Sequence, residues 1–244
     1  MNIVDAGTIF GFSPKERRDL SLDTLLRSME QYGVERFLSL SLKGALYEHG
    51  EGNRETLRAS QEHPQMIPVA TLDPRRYAGY RDEIAWCVDH GFRVFRFFPE
   101  RQGWPARLLP FWKILETLTE RQIPFIFPWL APGAITEVIE RVRGTGTPVI
   151  FEGVNYSGFA EVLAVLEEEP HSYAATSNLD GPDTIELFAR EIGADRLIFS
   201  SNSPFFSFSA PFLTVERSML SEEEKKQVLG GNIERVLGVL GCKA

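Results

Sequence analysis

Eight short apolar runs, rich in β-branched and aromatic residues, alternate along this chain with segments of helical periodicity. Most of the runs are almost continuously apolar, which is typical of strands that are covered on both faces. Eight repeats of a strand and a helix predict a closed parallel barrel rather than an open doubly wound sheet. The predicted strands are Ile3–Phe10, Arg36–Leu42, Met66–Asp73, Arg93–Pro99, Pro124–Leu130, Pro148–Val154, Ser172–Asn178 and Arg196–Asn202.

The length of the chain indicates the number of domains. A (β/α)8 barrel takes about 250 residues as one unit, and this chain has 244. No low-complexity tract or linker divides the sequence, and no G-x-G-x-x-G or Walker motif follows a predicted strand. We therefore predict a single α/β domain over residues 1–244, a (β/α)8 TIM barrel.

Charge and composition argue against several classes of partner. The formal net charge is −8 with scattered Lys and Arg, whereas nucleic-acid faces are usually basic. No apolar stretch approaches the roughly 18 residues that a membrane span needs. We therefore expect neither a nucleic acid nor a membrane as a partner. The two cysteines, Cys87 and Cys242, form no CxxC pair, which is typical of a protein in a reducing compartment. The N-terminus also lacks the features of a signal peptide. The expected location is therefore cytoplasmic.

Four segments carry a more specific signal. Ile3–Gly11 (IVDAGTIFG) resembles I-D-A-H-T-H-I-G, and Gly91–Pro99 (GFRVFRFFP) resembles G-F-K-G-I-K-L-H-P. Gly193–Pro204 (GADRLIFSSNSP) resembles G-A-D-R-I-L-F-G-S-D-Y-P, and Gly230–Gly238 (GGNIERVLG) resembles G-G-N-A-E-R-L-L-G. These motifs, in this order, are those of the amidohydrolase-related branch of the metal-dependent hydrolase superfamily. The resemblance implies a TIM barrel and the hydrolase or decarboxylase chemistry of that family.

The sequence departs from this resemblance where the family holds its metal. The family's first two histidines fall on Gly7 and Ile9, and its later histidines fall on or near Pro128 and Gly153. The aspartate after its eighth strand falls on Asn202. Gly, Ile and Pro side chains cannot coordinate zinc, and a neutral amide cannot act as a general base. We therefore expect no metal and no other cofactor.

A metal site could still be rebuilt from residues elsewhere. Three histidines are expected at helix or strand ends as surface or capping residues, namely His63, His90 and His171. His49, in the loop after the second strand, is the one that could reach the barrel mouth. A carboxylate-only site for Mg²⁺ or Ca²⁺ would use oxygen ligands. It would take them from Asp5, Asp73 and Glu152.

The working face of a TIM barrel is built from the C-terminal ends of its strands. Arg96, placed there among phenylalanines, must either pair or face a wet cavity. It is predicted to clamp a carboxylate or phosphate ligand, or to pair internally with Glu152 or Glu100. Glu152 is the candidate general acid or base, together with Arg96 as catalytic residue, or else the partner of Arg96. The full set of candidates at this face is Asp5, Ser41, Asp73, Arg96, Trp129, Glu152, Asn155, Asn178 and Asn202.

Five of these side chains are predicted to bind a ligand. The three asparagines could instead satisfy loop backbone. The loops after the fifth and eighth strands are rich in aromatic residues, which could form a ligand pocket or lid, a surface for homo-oligomers, or a plug. The predicted ligand-binding residues are Arg96, Trp129, Asn155, Asn178 and Asn202, and the aromatic residues are Phe125, Phe127, Trp129, Phe205, Phe206, Phe208 and Phe212.

Three functions fit these observations. The preferred one is an amidohydrolase-fold protein without the family metal site, a pseudoenzyme whose barrel mouth binds a small polar or anionic molecule or has no active site. The first alternative is a hydrolase or decarboxylase that acts without metal or through a rebuilt carboxylate site. The second is a scaffold or partner subunit.

Overall fold

Eight parallel strands, each paired with the next along the chain, form the sheet of this protein in a computed structural model that describes residues 2–179 and 181–238. Backbone hydrogen bonds from Ala6 to Phe199 (2.9 Å) and from Ile9 to Ser203 (3.2 Å) join the first strand to the chain after the eighth and close the barrel. The strands are β1 (Val4–Phe10), β2 (Arg36–Ser41), β3 (Met66–Ala70), β4 (Val94–Arg96), β5 (Phe125–Pro128), β6 (Val149–Glu152), β7 (Ser172–Ala175) and β8 (Leu197–Ile198).

Helices follow the strands and cover the outside of the barrel. No helix within the described residues has both the length and the apolar character that crossing a bilayer requires. A 3-10 turn (Ala194–Arg196) and a π-helical turn (Gln227–Gly231) complete the elements. The helices are α1 (Leu22–Gln31), α2 (Leu42–Leu46), α3 (His49–Glu62), α4 (Tyr80–Asp89), α5 (Pro99–Gln102), α6 (Leu109–Glu120), α7 (Ala134–Val142), α8 (Phe159–Glu168), α9 (Thr184–Glu191), α10 (Ser209–Glu216), α11 (Glu222–Lys226) and α12 (Asn232–Gly238).

The fold prediction is confirmed in the number, order and direction of the strands. The predicted runs are longer than the strands, as at Arg196–Asn202, where the strand covers Leu197–Ile198. Phe199, Ser200 and Ser201 stay buried after the strand ends, and Phe199 still accepts a backbone hydrogen bond from Ala6. Apolar content therefore marks the buried segment rather than the paired segment.

Alternation along the strands produces two apolar layers. Val94 belongs to a cluster inside the barrel, and Phe95 belongs to the layer between barrel and helices. Since successive side chains of a strand point to opposite faces, Arg96 follows Val94 inward. The same alternation on β6 directs Glu152 inward after Ile150. Two charged side chains thus end up at the top of an otherwise apolar barrel interior.

Two of the family-like segments pack against each other. The side-chain amide of Asn232 donates to the carbonyl oxygens of Ala194 (2.8 Å) and Leu197 (2.7 Å). Gly230 lies against β1, where a Cβ would come within 2.7 Å of the carbonyl oxygen of Asn2. These contacts attach the C-terminal helices to the bottom of the barrel, so these two motifs have a structural role.

Candidate active site

A cavity of about 380 Å³ opens at the C-terminal end of the barrel. Its volume is at the lower end of the range for small-molecule sites. The walls are residues that end strands or begin the loops after them. All of the side chains predicted for catalysis or ligand binding line this cavity, namely Arg96, Trp129, Glu152, Asn155, Asn178 and Asn202. Their roles remain predictions.

Arg96 and Glu152 pair inside the barrel. Nε of Arg96 donates to Oε1 of Glu152 at 2.8 Å. Nη2 lies 2.6 Å from Oε2, an ion-pair contact without hydrogen-bond geometry. Both residues are 4% exposed. Of the two acidic partners that the sequence offered for Arg96, the structure selects Glu152.

The rest of the Arg96 guanidinium is also engaged. Nη1 donates to the carbonyl oxygen of Thr8 at 3.3 Å, and Nη2 donates to Oδ1 of Asn202 at 2.5 Å. The Phe98 ring centre lies 5.3 Å from the guanidinium carbon. Arg96 therefore links β4 to β1, β6 and the segment after β8, which makes it a cross-brace of the barrel mouth.

One polar atom of the Asn202 side chain, the amide nitrogen, is available to a ligand in the cavity. Its backbone is left-handed (φ 53°), and its Oδ1 is taken by Arg96. Within the described part of the chain, its amide nitrogen has no hydrogen-bond partner. The side chain is half-buried and lines the cavity, so this nitrogen can donate to a bound molecule.

The other two asparagines differ from each other. Oδ1 of Asn155 accepts the backbone N–H groups of Ser157 (2.9 Å) and Gly158 (3.3 Å), so this side chain stabilises its own loop. Asn178 is exposed with a left-handed backbone (φ 73°), and its amide has no partner among the described residues. For ligand binding, Asn178 is the more available of the two.

Trp129 lies against the loop after β6. A Cβ at Gly158 would come within 2.4 Å of its Nε1, so the indole fits there because residue 158 is glycine. Nε1 itself is buried and has no acceptor within the described residues. The indole presents part of its surface to the cavity.

The aromatic residues of the loops split into two groups. Phe205 and Phe206 line the cavity, and Phe206 is 48% exposed. Phe125, Phe127 and Phe208 are buried in the layer between barrel and helices. Because these three side chains are buried, they offer no exposed surface to a lid or a partner chain, while the homo-oligomer itself stays a prediction. Phe212 also packs against that layer.

Arg101 is a charged cavity residue that was not among the candidates from the sequence. It lies in α5, one turn beyond the end of β4, and its guanidinium carbon is 4.4 Å from the Phe205 ring centre. The side chain is exposed at the rim and lines the cavity. Its position in the segment after a strand could have identified it, since such segments form the working face of this fold.

Comparison with known proteins identifies the family. The family profile described as Amidohydrolase matches residues 5–239, nearly the whole chain. The chain belongs to this amidohydrolase family. No curated protein matches the sequence.

Several solved structures share the fold of this chain. A TIM-barrel protein of Bordetella bronchiseptica described as uncharacterized has 15% identity and a TM-score of 0.78, with 99% of this chain and 100% of that chain covered. A 2,6-dihydroxybenzoate decarboxylase from Rhizobium has 15% identity and a TM-score of 0.74, with 98% and 99% covered. A dihydroxybenzoic acid decarboxylase from Polaromonas, with bound manganese and the inhibitor 2-nitroresorcinol, has 18% identity and a TM-score of 0.73, with 98% of each chain covered. At these identities the likeness concerns the fold alone.

By the resemblance in the sequence, five positions would correspond to the family's metal ligands. Four of them, Ile9, Pro128, Gly153 and Asn202, line the cavity. Ile, Pro and Gly side chains provide no donor atom for a divalent ion. Within residues 2–179 and 181–238, no three His, Cys, Asp or Glu side chains are grouped so that they could hold a metal ion. The side chains at this amidohydrolase site therefore do not fit the family's metal.

Gly7, the fifth such position, has no room for a side chain. A Cβ there would lie 2.1 Å from Oγ of Ser200 and 3.2 Å from its Cβ. The Ser200 hydroxyl is itself buried without a hydrogen-bond partner among the described residues. The space that a larger side chain would need at this position is therefore filled by Ser200, which follows β8.

The alternative of a carboxylate-only metal site is wrong. Oδ1 of Asp5 accepts the backbone N–H groups of Gly7 (3.1 Å) and Ser201 (3.0 Å), and Oδ2 accepts the Ser201 hydroxyl. Burial raises the pKa of Asp5, which is fully enclosed. Asp73 pairs with Arg75 at 2.7 Å. Neither Asp5 nor Asp73 is among the cavity residues, so these two carboxylates do not converge with Glu152 on one cation.

Ser41 and the histidines also stay outside the cavity. Ser41 caps α2 and donates to Oε1 of Glu55 at 3.1 Å. His49 begins α3, where burial lowers its pKa, and it does not line the cavity. The expectation that the other histidines lie at element ends is confirmed. His63 and His90 cap the C-termini of α3 and α4, and His171 precedes β7.

Proposed function

We propose that this amidohydrolase binds a small polar or anionic molecule at its barrel mouth without a metal ion. In this proposal the ion pair of Arg96 and Glu152 takes the place of the family's metal centre. The supporting observation is the position of the Arg96 guanidinium, which is bound to Glu152, Thr8 and Asn202 inside the ring of family ligand positions.

The chemistry of the guanidinium explains why the Arg96–Glu152 ion pair and a metal centre cannot occupy the same site. A catalytic metal needs about three protein ligands and an open coordination position. Arg96 supplies one positive charge through fixed N–H donors and cannot ligate. Its charge is matched by Glu152 alone, so a divalent cation placed beside it would be repelled. The mouth keeps donors for a ligand at the amide nitrogens of Asn178 and Asn202.

The test is the metal content of the purified protein. The chain is produced in medium supplemented with Zn²⁺ and Mn²⁺, and its metal is measured by elemental analysis. We expect well below one equivalent of either ion. The dihydroxybenzoic acid decarboxylase from Polaromonas, whose structure has bound manganese, serves as the positive control under the same medium. A stoichiometric, tightly bound ion would contradict the proposal.

A second candidate function is decarboxylation without metal. It is favoured by the Glu152 carboxylate in the cavity wall and by the shared fold with a 2,6-dihydroxybenzoate decarboxylase. A carboxyl group can act as general acid in such a reaction. The chain is incubated with 2,6-dihydroxybenzoate, and 1,3-dihydroxybenzene is quantified by chromatography. We expect none, and product that disappears in Glu152→Gln would establish this second function instead.

A further inference from the structure

We infer that Arg101 and Phe205 form an anion-binding subsite at the rim of the cavity, which takes the carboxylate of a small monoanionic ligand. The inference rests on the proposed function, since it uses the same cavity. It assigns the recognition of negative charge to Arg101, and it leaves Arg96 as a structural cation.

The Arg101 guanidinium is held in place but left unpaired. Its carbon lies 4.4 Å from the ring centre of Phe205, and an arginine stacked on an aromatic face keeps its N–H donors free at the edge. No carboxylate lies within 4.0 Å of it, and no hydrogen-bond acceptor contacts it, in the part of the chain that the structure describes. By contrast, Arg54 pairs with Glu83 and Arg75 pairs with Asp73, both at 2.7 Å.

Arg96 cannot serve the same purpose. It is 4% exposed, and its Nε and Nη2 face Glu152 and Asn202 while its Nη1 donates to Thr8. An incoming carboxylate would have to displace Glu152 and leave that carboxylate buried without its partner. Removing one partner of a buried pair is strongly unfavourable. The unpaired cation at the rim is therefore the better anchor.

The electrostatic surroundings of Arg101 favour an anion. Partial loss of water around the guanidinium, followed by the charge of Arg96, lowers the pKa of Arg101. The attraction of a bound anion would offset the repulsion between Arg101 and Arg96 and compensate the lost hydration. The acidic groups that act in the opposite direction are Glu16, Glu100 and Glu152.

These acidic groups also decide which anion fits. Glu100 lines the cavity beside Arg101, while Glu152 is already neutralised by Arg96. The rim therefore carries one free positive charge next to one negative charge. Glu100 would repel a single carboxylate less than a phosphate monoester with nearly two charges, so a monoanion is the better ligand. The apolar walls formed by Ile9, Phe98 and Trp129 suit an apolar body behind the carboxylate.

The experiment uses benzoate as the probe and measures its affinity by calorimetry for the wild type and for two matched variants. Arg101→Gln removes the proposed anchor. Arg107→Gln removes the same charge from an exposed arginine that does not line the cavity. We expect Arg101→Gln to weaken benzoate by about tenfold or more, because a charge-assisted hydrogen bond is lost. We expect Arg107→Gln to bind like the wild type, and phenyl phosphate to bind the wild type more weakly than benzoate.

A second readout does not depend on the variants. Phenylglyoxal modifies accessible, unpaired arginines, and mass spectrometry of digested protein reports the rate at each site. We expect fast modification of Arg101, slowed by benzoate, while the rate at Arg107 is unaffected by benzoate. Thermal unfolding of both variants should match the wild type, since neither side chain is buried.

The outcomes separate this inference from the proposed function. Benzoate that binds Arg101→Gln as tightly as the wild type overturns the subsite and leaves the proposed function standing. Benzoate binding that requires Mn²⁺ or Zn²⁺ and is lost with a chelator overturns the proposed function, while its dependence on Arg101 still supports the subsite. If saturating benzoate neither binds nor slows the modification of Arg101 by phenylglyoxal, both the subsite and the proposed function are overturned.

Discussion

The Arg96 guanidinium and the Glu152 carboxylate face each other across the barrel interior, with Nε 2.8 Å from Oε1 and Nη2 2.6 Å from Oε2. The two residues end strands β4 and β6, which are separated by β5. Both charges are buried, so neither can be hydrated if the other is removed. The pair therefore constrains the barrel mouth in a way that a surface ion pair does not.

Removing one partner of this ion pair should destabilise the protein far more than replacing both partners with apolar residues. Glu152→Leu alone leaves a buried, uncompensated guanidinium and should lower the free energy of unfolding by about 3–5 kcal/mol. Arg96→Met alone should have a cost of the same order, because it leaves the carboxylate unpaired. The double variant Arg96→Met/Glu152→Leu should recover most of the loss, since an apolar pair often replaces a buried ion pair at little cost. Urea unfolding of the wild type, the two single variants and the double variant measures the coupling free energy between the two side chains. A double variant whose loss of stability equals the sum of the two single losses would contradict the prediction.

Gly7 and Ser200 should show a coupling of steric origin. Gly7→Ala places a Cβ 2.1 Å from Oγ of Ser200 and should destabilise the protein by about 1–3 kcal/mol through overpacking. Ser200→Ala alone should be close to neutral, because the hydroxyl that it removes is buried without a partner. In Gly7→Ala/Ser200→Ala the nearest contact becomes 3.2 Å, so most of the loss should be recovered.

Thermal unfolding monitored by circular dichroism measures this cycle. An alanine at position 7 that costs nothing in the wild-type background would show that Ser200 does not fill the space. The same result would remove the physical reason for the absence of a histidine at that position.

Much of the fold follows from local pattern in the sequence. Nearly continuous apolar runs such as Pro148–Val154 indicate strands that are buried on both faces, and their alternation with helical stripes leaves few topologies. The ends of the strands do not follow from this pattern. Phe199 and Ser200 continue the apolar and small-residue run after β8, but hydrogen bonding to neighbouring strands is set by the stagger of the whole barrel.

The site was predicted in part, for a physical reason. Period-two alternation is enough to direct Arg96 inward after Val94 and Glu152 inward after Ile150. Two residues could not be placed in this way. Arg101 reaches the cavity because α5 turns the chain back over Phe205, and Asp5 is withdrawn because Ser201 offers it a hydrogen-bond donor from a residue 196 positions away. Both placements depend on contacts between residues far apart in the sequence, which local sequence does not encode.

Cys87 should be chemically inert in the folded protein. The thiol is buried in α4, and burial followed by the charge of Glu83 raises its pKa well above the usual range. Because the thiolate is the reactive form, a variant with Cys242→Ser should show almost no reaction with a disulfide reagent at pH 8. Reaction should become complete in denaturant. Fast labelling of the native variant would mean that the helix layer opens readily around α4.

Asp5 should give stability an unusual dependence on pH. Burial raises its pKa above the ordinary value of 3.8, although hydrogen bonds from Ser201 and Gly7 and the charge of Arg96 act against the rise. The folded chain therefore holds this proton at pH values where the unfolded chain has lost it. The stabilising contribution of Asp5 is complete below 3.8 and is lost as the pH rises through the raised pKa. Asp5→Asn keeps an oxygen for Gly7 and Ser201 and does not titrate, so its stability relative to the wild type should increase with pH over this window.

Asp73 provides a control of opposite sign for the same measurement. Burial acts to raise its pKa, but the hydrogen bonds and charge of Arg75 outweigh burial and lower it. Its contribution is therefore present above 3.8 and is lost as the pH falls through the lowered pKa. Asp73→Asn should lose stability relative to the wild type as the pH rises through that range, while Asp5→Asn gains it. Urea unfolding at a series of pH values from acid to neutral reports both differences. A stability difference between Asp5→Asn and the wild type that does not change with pH would show that Asp5 ionises as readily as a solvated carboxyl and that its enclosure has no energetic consequence.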